Sequence, residues 1–168
     1  MIHVCSLARL QDTVRESGAR HVVTLIKDIT LVHRPPSIPA ANHLLLDMDD
    51  IAEPIEGYVA PGEEHVGDLI RFARAWPRQA PLVVHCYAGI SRSTAGAFVT
   101  ACALNPRRDE LTIARALRAA SHTATPNIRI VSLADRMLGR NGRMVTAIQS
   151  IGPGMAAYAT EPFRLDLE

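Results

Sequence analysis

VVHCYAGISRST, residues 83–94, decides how this chain is read. The apolar run Leu82–His85 ends at Cys86. A continuous run of this kind, closed by a polar residue, reads as a buried central strand. Tyr87, Ala88, Gly89, Ile90 and Ser91 then separate the cysteine from Arg92. From Ser93 to Leu104 the residues are mostly small and apolar, the pattern of a buried helix. Strand, tight loop and helix therefore follow one another directly.

Such a loop lies at the carboxyl end of its strand, where open α/β sheets bind ligands. Its amides can turn inward as an anion nest. The helix behind it adds the positive end of its dipole. Arg92 can reach two oxygens of a tetrahedral anion at once. Gly89 permits a turn that a side chain would block. Together these features predict a phosphate cradle formed by residues 87–92. A thiol placed there is favoured as its thiolate, the nucleophilic form. Below a bound phosphate, that thiolate is set for in-line attack on phosphorus. Ser93 can hydrogen-bond the sulfur and help it leave when water cleaves the phosphocysteine.

The rest of the chain frames this unit. Ile2–Cys5, His21–Ile26 and His43–Met48 read as strands. Leu7–Ser17 reads as a helix stopped at Gly18, and Glu63–Trp76 as an amphipathic helix. The prolines of RPPSIPAAN, 34–42, and of the stretch 49–62 mark loops. Asn105 with Pro106, and Thr125 with Pro126, read as helix starts, with Asp109 and Glu110 favoured by the helix dipole. GRNG, 139–142, is a turn, and a last helix covers Arg143–Ile151. Residues 155–168 read as a docked tail, with Phe163, Leu165 and Leu167 alternating as an edge strand or arm. The order predicts an α/β fold, a mostly parallel central sheet flanked by helices.

At 168 residues the chain fits a single domain, 1–168, large enough for a core. The net charge of +1 gives no sign of a nucleic-acid or membrane partner. The start MIHVCSLARLQDTVRES lacks the pattern of a signal peptide, and no apolar run reaches transmembrane length. Three cysteines without metal-ligand spacing fit a reducing cytoplasm. Cys102 reads as core. Cys5 reads as core as well, with protection of Cys86 by a disulfide as the alternative.

HCYAGISRS resembles the signature of cysteine-dependent protein tyrosine phosphatases: His-Cys, five residues, Arg, then Ser or Thr. The resemblance covers roughly residues 43–138, and is closest to the dual-specificity branch and its small bacterial members. It implies Cys86 as nucleophile, Arg92 as phosphate clamp and His85 as the residue that orients the loop and tunes the thiolate. It implies Ser93 in hydrolysis of the intermediate. It also implies a general acid on a loop upstream, because the leaving oxygen must be protonated. LLLDMDDIAEP offers Asp47, Asp49 and Asp50. Asp50, where the strand gives way to the loop, is the first choice, and Asp49 the second.

No metal or cofactor is expected. The expected substrate is a phosphorylated protein or a small phosphomonoester, with phosphate, vanadate or sulfate as site anions. The loop holds no lysine, which favours singly phosphorylated substrates such as phosphotyrosine, phosphoserine or phosphothreonine over highly anionic inositol lipids. Three alternatives stand: a catalytically weak phosphate-binding module, a rhodanese-like sulfur transferase and a small-molecule phosphatase. The arginine and serine after the loop, and the histidine before the cysteine, count against sulfur transfer.

Overall fold

The computed structural model describes residues 1–167. Strands β1 (Ile2–Ser6), β2 (His21–Leu25), β3 (His43–Leu46) and β4 (Leu82–Cys86) run parallel. β5 (Phe163–Leu165) pairs antiparallel with β1. The sheet order is β3-β2-β4-β1-β5, which puts β4 in the centre with all five residues buried. The mostly parallel sheet and the edge strand near the C-terminal end of the described residues follow the expectation.

Alternation along the strands divides the sheet into two faces. Helix α1 (Leu10–Ser17) covers one, where Cys5, Val22 and Val83 pack with Leu10, Val14 and Ile38. The other carries α2 (Glu63–Ala75), α3 (Arg92–Leu104), α4 (Glu110–Ala120), α5 (Ile128–Met137) and α6 (Arg143–Ile151). Ile2, Val4, Leu25, Val84 and Cys86 belong to the core on that side. Cys5 and Cys86 thus lie in cores on opposite faces of the sheet, and all three cysteines are free thiols.

α3 explains the small residues after Ser93. Every residue of it except Leu104 is buried, because helices and sheet surround it. Small side chains let it approach the sheet closely. A Cβ on Gly96 would stand only 3.1 Å from a methyl of Val84. Phe98, fully buried, supplies the bulk that fills the space. Removing such a ring costs about 3–5 kcal/mol.

Several boundaries differ from expectation, each for a local reason. β3 ends at Leu46, not Met48, because the chain leaves the sheet to pair Asp49 with Val59. A short 3-10 turn, Leu7–Arg9, precedes α1. α4 begins at Glu110, after the start expected at Asn105 and Pro106. Asn105 instead closes α3, with its backbone N–H and its Nδ2 both donating to Ala101 O. The cap of α4 is Asp109, whose carboxylate accepts from Thr112 N at 2.8 Å. Glu110 is buried, with Arg140 Nη1 at 2.6 Å and Arg143 Nε at 3.1 Å, so it serves an ion pair between α4 and the start of α6. α5 starts at Ile128 behind Asn127, two residues after the expected Thr125.

Candidate active site

Cys86 is the last residue of β4 and Arg92 the first of α3, so the five residues between them form the whole connection. Their carbonyls are drawn outward. Tyr87 O accepts from Leu7 N at 3.1 Å, and Ala88 O from Thr160 N at 2.9 Å. Ile90 O accepts from Thr125 N at 3.0 Å, and Ser91 O from Asn127 N at 3.3 Å. In a planar trans peptide the N–H points opposite to the C=O. The amides of Ala88, Gly89, Ser91 and Arg92 therefore turn toward the interior of the loop, as an anion nest requires. Gly89 N donates to Cys86 Sγ at 3.2 Å.

Gly89 adopts φ +78°, in the left-handed region. A Cβ there would lie 2.8 Å from the Cys5 carbonyl carbon and 2.9 Å from Ser6 N. The turn therefore requires glycine both for its backbone angle and for its contact with the end of β1.

The sulfur is buried and shares a hydrogen bond with Ser93 Oγ at 3.1 Å. The thiol donates in that pair, whereas the thiolate accepts from the hydroxyl. Arg92 is 8% exposed, and its Nη1 donates to Met48 O at 2.7 Å. Its Nε is buried and makes no hydrogen bond within the protein. An oxyanion in the nest would supply the acceptor that such a buried donor needs.

Below the loop, Thr24 Oγ1 lies 2.6 Å from His85 Nε2 and 2.8 Å from His43 Nε2. Burial lowers the pKa of His85 to about 3, with His43 adding to the shift and the Cys86 backbone opposing it. His85 Nδ1 nevertheless makes no hydrogen bond of ordinary geometry. Burial, followed by the charge of Arg34, lowers His43 to about 4. Both imidazoles are therefore neutral near pH 7, and the chain of bonds is one of neutral donors and acceptors.

The three upstream aspartates separate clearly. Asp47 faces Lys27 at 3.7 Å and accepts from Asp28 N at 3.2 Å. Asp49 Oδ2 accepts from Val59 N at 2.7 Å and closes its own loop. Asp50 alone of the three bonds the Cys86–Arg92 loop. Its Oδ1 accepts from Ser91 Oγ at 2.7 Å and from Asn127 Nδ2 at 2.8 Å, and its Oδ2 lies 3.9 Å from Arg92 Nε.

Thr24, His43 and Asn127 were not singled out in the sequence. A hydroxyl in a strand and a histidine at a strand's start carry no local signal. Asn127 had one, since asparagine is a strong helix cap, but Thr125 two residues earlier has the same appeal. Thr125 instead uses its N–H to hold Ile90 of the loop. His122 and Arg107 are both exposed. Among the described residues, no group of three or more His, Cys, Asp or Glu side chains is set to hold a metal ion. Among the same residues, no helix is long and apolar enough to cross a membrane.

No protein-family model matches the chain, and no curated protein matches it. Solved structures do. The PTP-2 phosphatase of Cydia pomonella is 20% identical over 80% of this chain and 84% of its own, with a TM-score of 0.63. The Yvh1 phosphatase domain from Chaetomium thermophilum is 17% identical over 85% and 93%, with a TM-score of 0.65. A human tyrosine phosphatase-like serine/threonine/tyrosine-interacting protein is 16% identical over 83% and 92%, with a TM-score of 0.62. The chain has the fold of the cysteine-dependent tyrosine and dual-specificity phosphatases.

Proposed function

We propose that this chain is a phosphomonoester hydrolase that works through a phosphocysteine at Cys86, acting on protein phosphotyrosine and, through a shallow entrance, on phosphoserine and phosphothreonine. The observation that carries this is the loop itself. One buried sulfur, four inward amides and the buried Arg92 Nε, which makes no hydrogen bond within the protein, line one loop interior suited to a single anion. The shared fold favours phosphoryl chemistry over the sulfur-transfer alternative.

The steps follow from the positions. The amides and Arg92 bind the three peripheral oxygens of the phosphate and hold phosphorus over Cys86 Sγ. The thiolate attacks in line, the P–O bond to the substrate breaks, and Asp50 gives its proton to the departing oxygen. Water then attacks the phosphocysteine while Asp50, now a carboxylate, takes its proton. Inorganic phosphate leaves and the thiolate returns. Ser93 stabilises the sulfur as it departs. His85 holds the strand end from which Cys86 projects.

The whole chain acts as one domain, its tail held at Thr160 against the loop and at Phe163–Leu165 against β1. Three buried free thiols suit a reducing compartment, for which the cytoplasm is the natural assignment. The rim at Tyr87, 65% exposed, offers an aromatic face to a substrate side chain.

The test is turnover of p-nitrophenyl phosphate and of a phosphotyrosine peptide. Wild type should release inorganic phosphate, and Cys86→Ser should abolish release while still binding phosphate or vanadate. Phosphate binding without turnover in wild type would indicate the binding module instead.

A further inference from the structure

Asn127 joins the three parts of the site. Its backbone N–H donates to Ser91 O in the loop. Its side-chain carbonyl accepts from Arg129 N and Ile130 N, both at 3.1 Å, and so caps α5. With the oxygen occupied in this way, the amide nitrogen must face the other side. There Nδ2 donates to Asp50 Oδ1 at 2.8 Å and to Ile51 O at 3.3 Å. Asn127 is 7% exposed, so water competes little for these bonds. The cap fixes the orientation of the amide, and the amide fixes one oxygen of Asp50.

Ser91 Oγ donates to that same oxygen at 2.7 Å. Two donors therefore converge on Oδ1. The carbonyl oxygen of a carboxylic acid accepts two hydrogen bonds readily, whereas its hydroxyl oxygen is a poor acceptor. Convergent donors thus make Oδ1 the carbonyl oxygen whenever Asp50 is protonated. The proton is left on Oδ2, the oxygen that faces Arg92.

We propose that Asn127 is a positioning residue for proton delivery: with Ser91 it holds Oδ1 of Asp50 as an acceptor, so that Oδ2 carries the proton toward the anion site. This rests on the phosphatase reading and assigns a further residue to the same site. Asn127 does not touch the substrate. It acts by choosing which oxygen of Asp50 does.

Proton delivery matters most when the leaving group is basic. The test compares p-nitrophenyl phosphate, an activated ester, with phenyl phosphate, whose phenol has a pKa near about 10 like a tyrosine side chain. Asn127→Ser keeps a capping oxygen for α5 but removes the amide donor. Its turnover of phenyl phosphate should fall on the order of tenfold or more, and that of the activated ester by less than about threefold. Asp50→Asn should show the same selectivity more strongly.

Equal losses of Asn127→Ser on both esters, or no loss on either, would overturn the proposal, since a structural role has no leaving-group dependence. Ser91→Ala removes the second donor and leaves the α5 cap untouched. It should show the same selectivity, and it carries the test if the Asn127 variant does not fold. Absence of selectivity in Asp50→Asn would remove Asp50 as the acid, and the proposal with it. Loss of the phosphatase reading has a separate signature, namely turnover that survives Cys86→Ser.

Discussion

The hydroxyl of Thr24 on β2 hydrogen-bonds the imidazole of His85 on β4, with 2.6 Å between Oγ1 and Nε2. Both residues are fully buried. The bond ties β2 to the central strand β4 at the residue that directly precedes Cys86. Thr24→Val keeps the volume but leaves His85 Nε2 without its partner. A buried polar atom left unsatisfied costs about 1–3 kcal/mol. Urea denaturation should show a loss in that range, with Thr24→Ser nearer to wild type. A valine variant as stable as wild type would mean that the bond contributes nothing.

The same histidine makes stability depend on pH. His85 titrates at about 3 in the fold against 6.5 in the unfolded chain. Between those values the unfolded chain holds a proton that the native state does not, so stability falls as the pH drops below 6.5. At pH 5 this one group should cost about 2 kcal/mol relative to neutral pH. The measurement is the unfolding free energy of wild type and His85→Asn at both values. The asparagine variant should show the shallower dependence, and equal dependences would contradict the assignment.

Arg92 is tied to Met48 O through Nη1 at 2.7 Å, which aims the rest of its guanidinium at the loop. Lysine keeps the charge but cannot bond the carbonyl and fork an oxyanion together. Arg92→Lys should lower kcat/KM on the order of 10²-fold, the typical effect of losing one oriented oxyanion donor. Vanadate inhibition should weaken in parallel. A lysine variant within about threefold of wild type would show that charge alone suffices at this position.

Gly89→Ala should fail in two ways. The φ of +78° disfavours alanine, and its Cβ would press on the Thr160 methyl at 2.6 Å and on the backbone of β1. Trimming the first contact should not rescue it, because the second is main chain. The thermal midpoint should therefore drop, and turnover should fall, in Gly89→Ala and in Gly89→Ala with Thr160→Ala alike. Restored activity in the double variant would place the conflict on the side chain alone.

The loop was legible because its features are local. Cysteine, glycine and arginine lie within one strand-loop-helix unit, and neighbours in sequence are neighbours in space. The sheet was legible for the same reason, since each strand is a short apolar run. Helix starts were harder. Asn105 and Thr125 look like caps in sequence, but one closes the helix before it and the other holds Ile90. Those partners are distant or lie upstream, and propensity does not register them. Asp50 was favoured on chain geometry, whereas its two donors come from Ser91 and Asn127, 41 and 77 residues away. No spacing rule spans such separations.

Ala88 O, in the loop between Cys86 and Arg92, accepts from Thr160 N. Synthesis runs from the N-terminus, so Thr160 leaves the ribosome well after Ala88, and this bond cannot form before then. A nascent chain that folded as it emerged would carry the strand, the cysteine and α3 while still missing one side of the loop's support. Cys86 and its loop are thus translated before the segment around Thr160 that closes the cradle from outside.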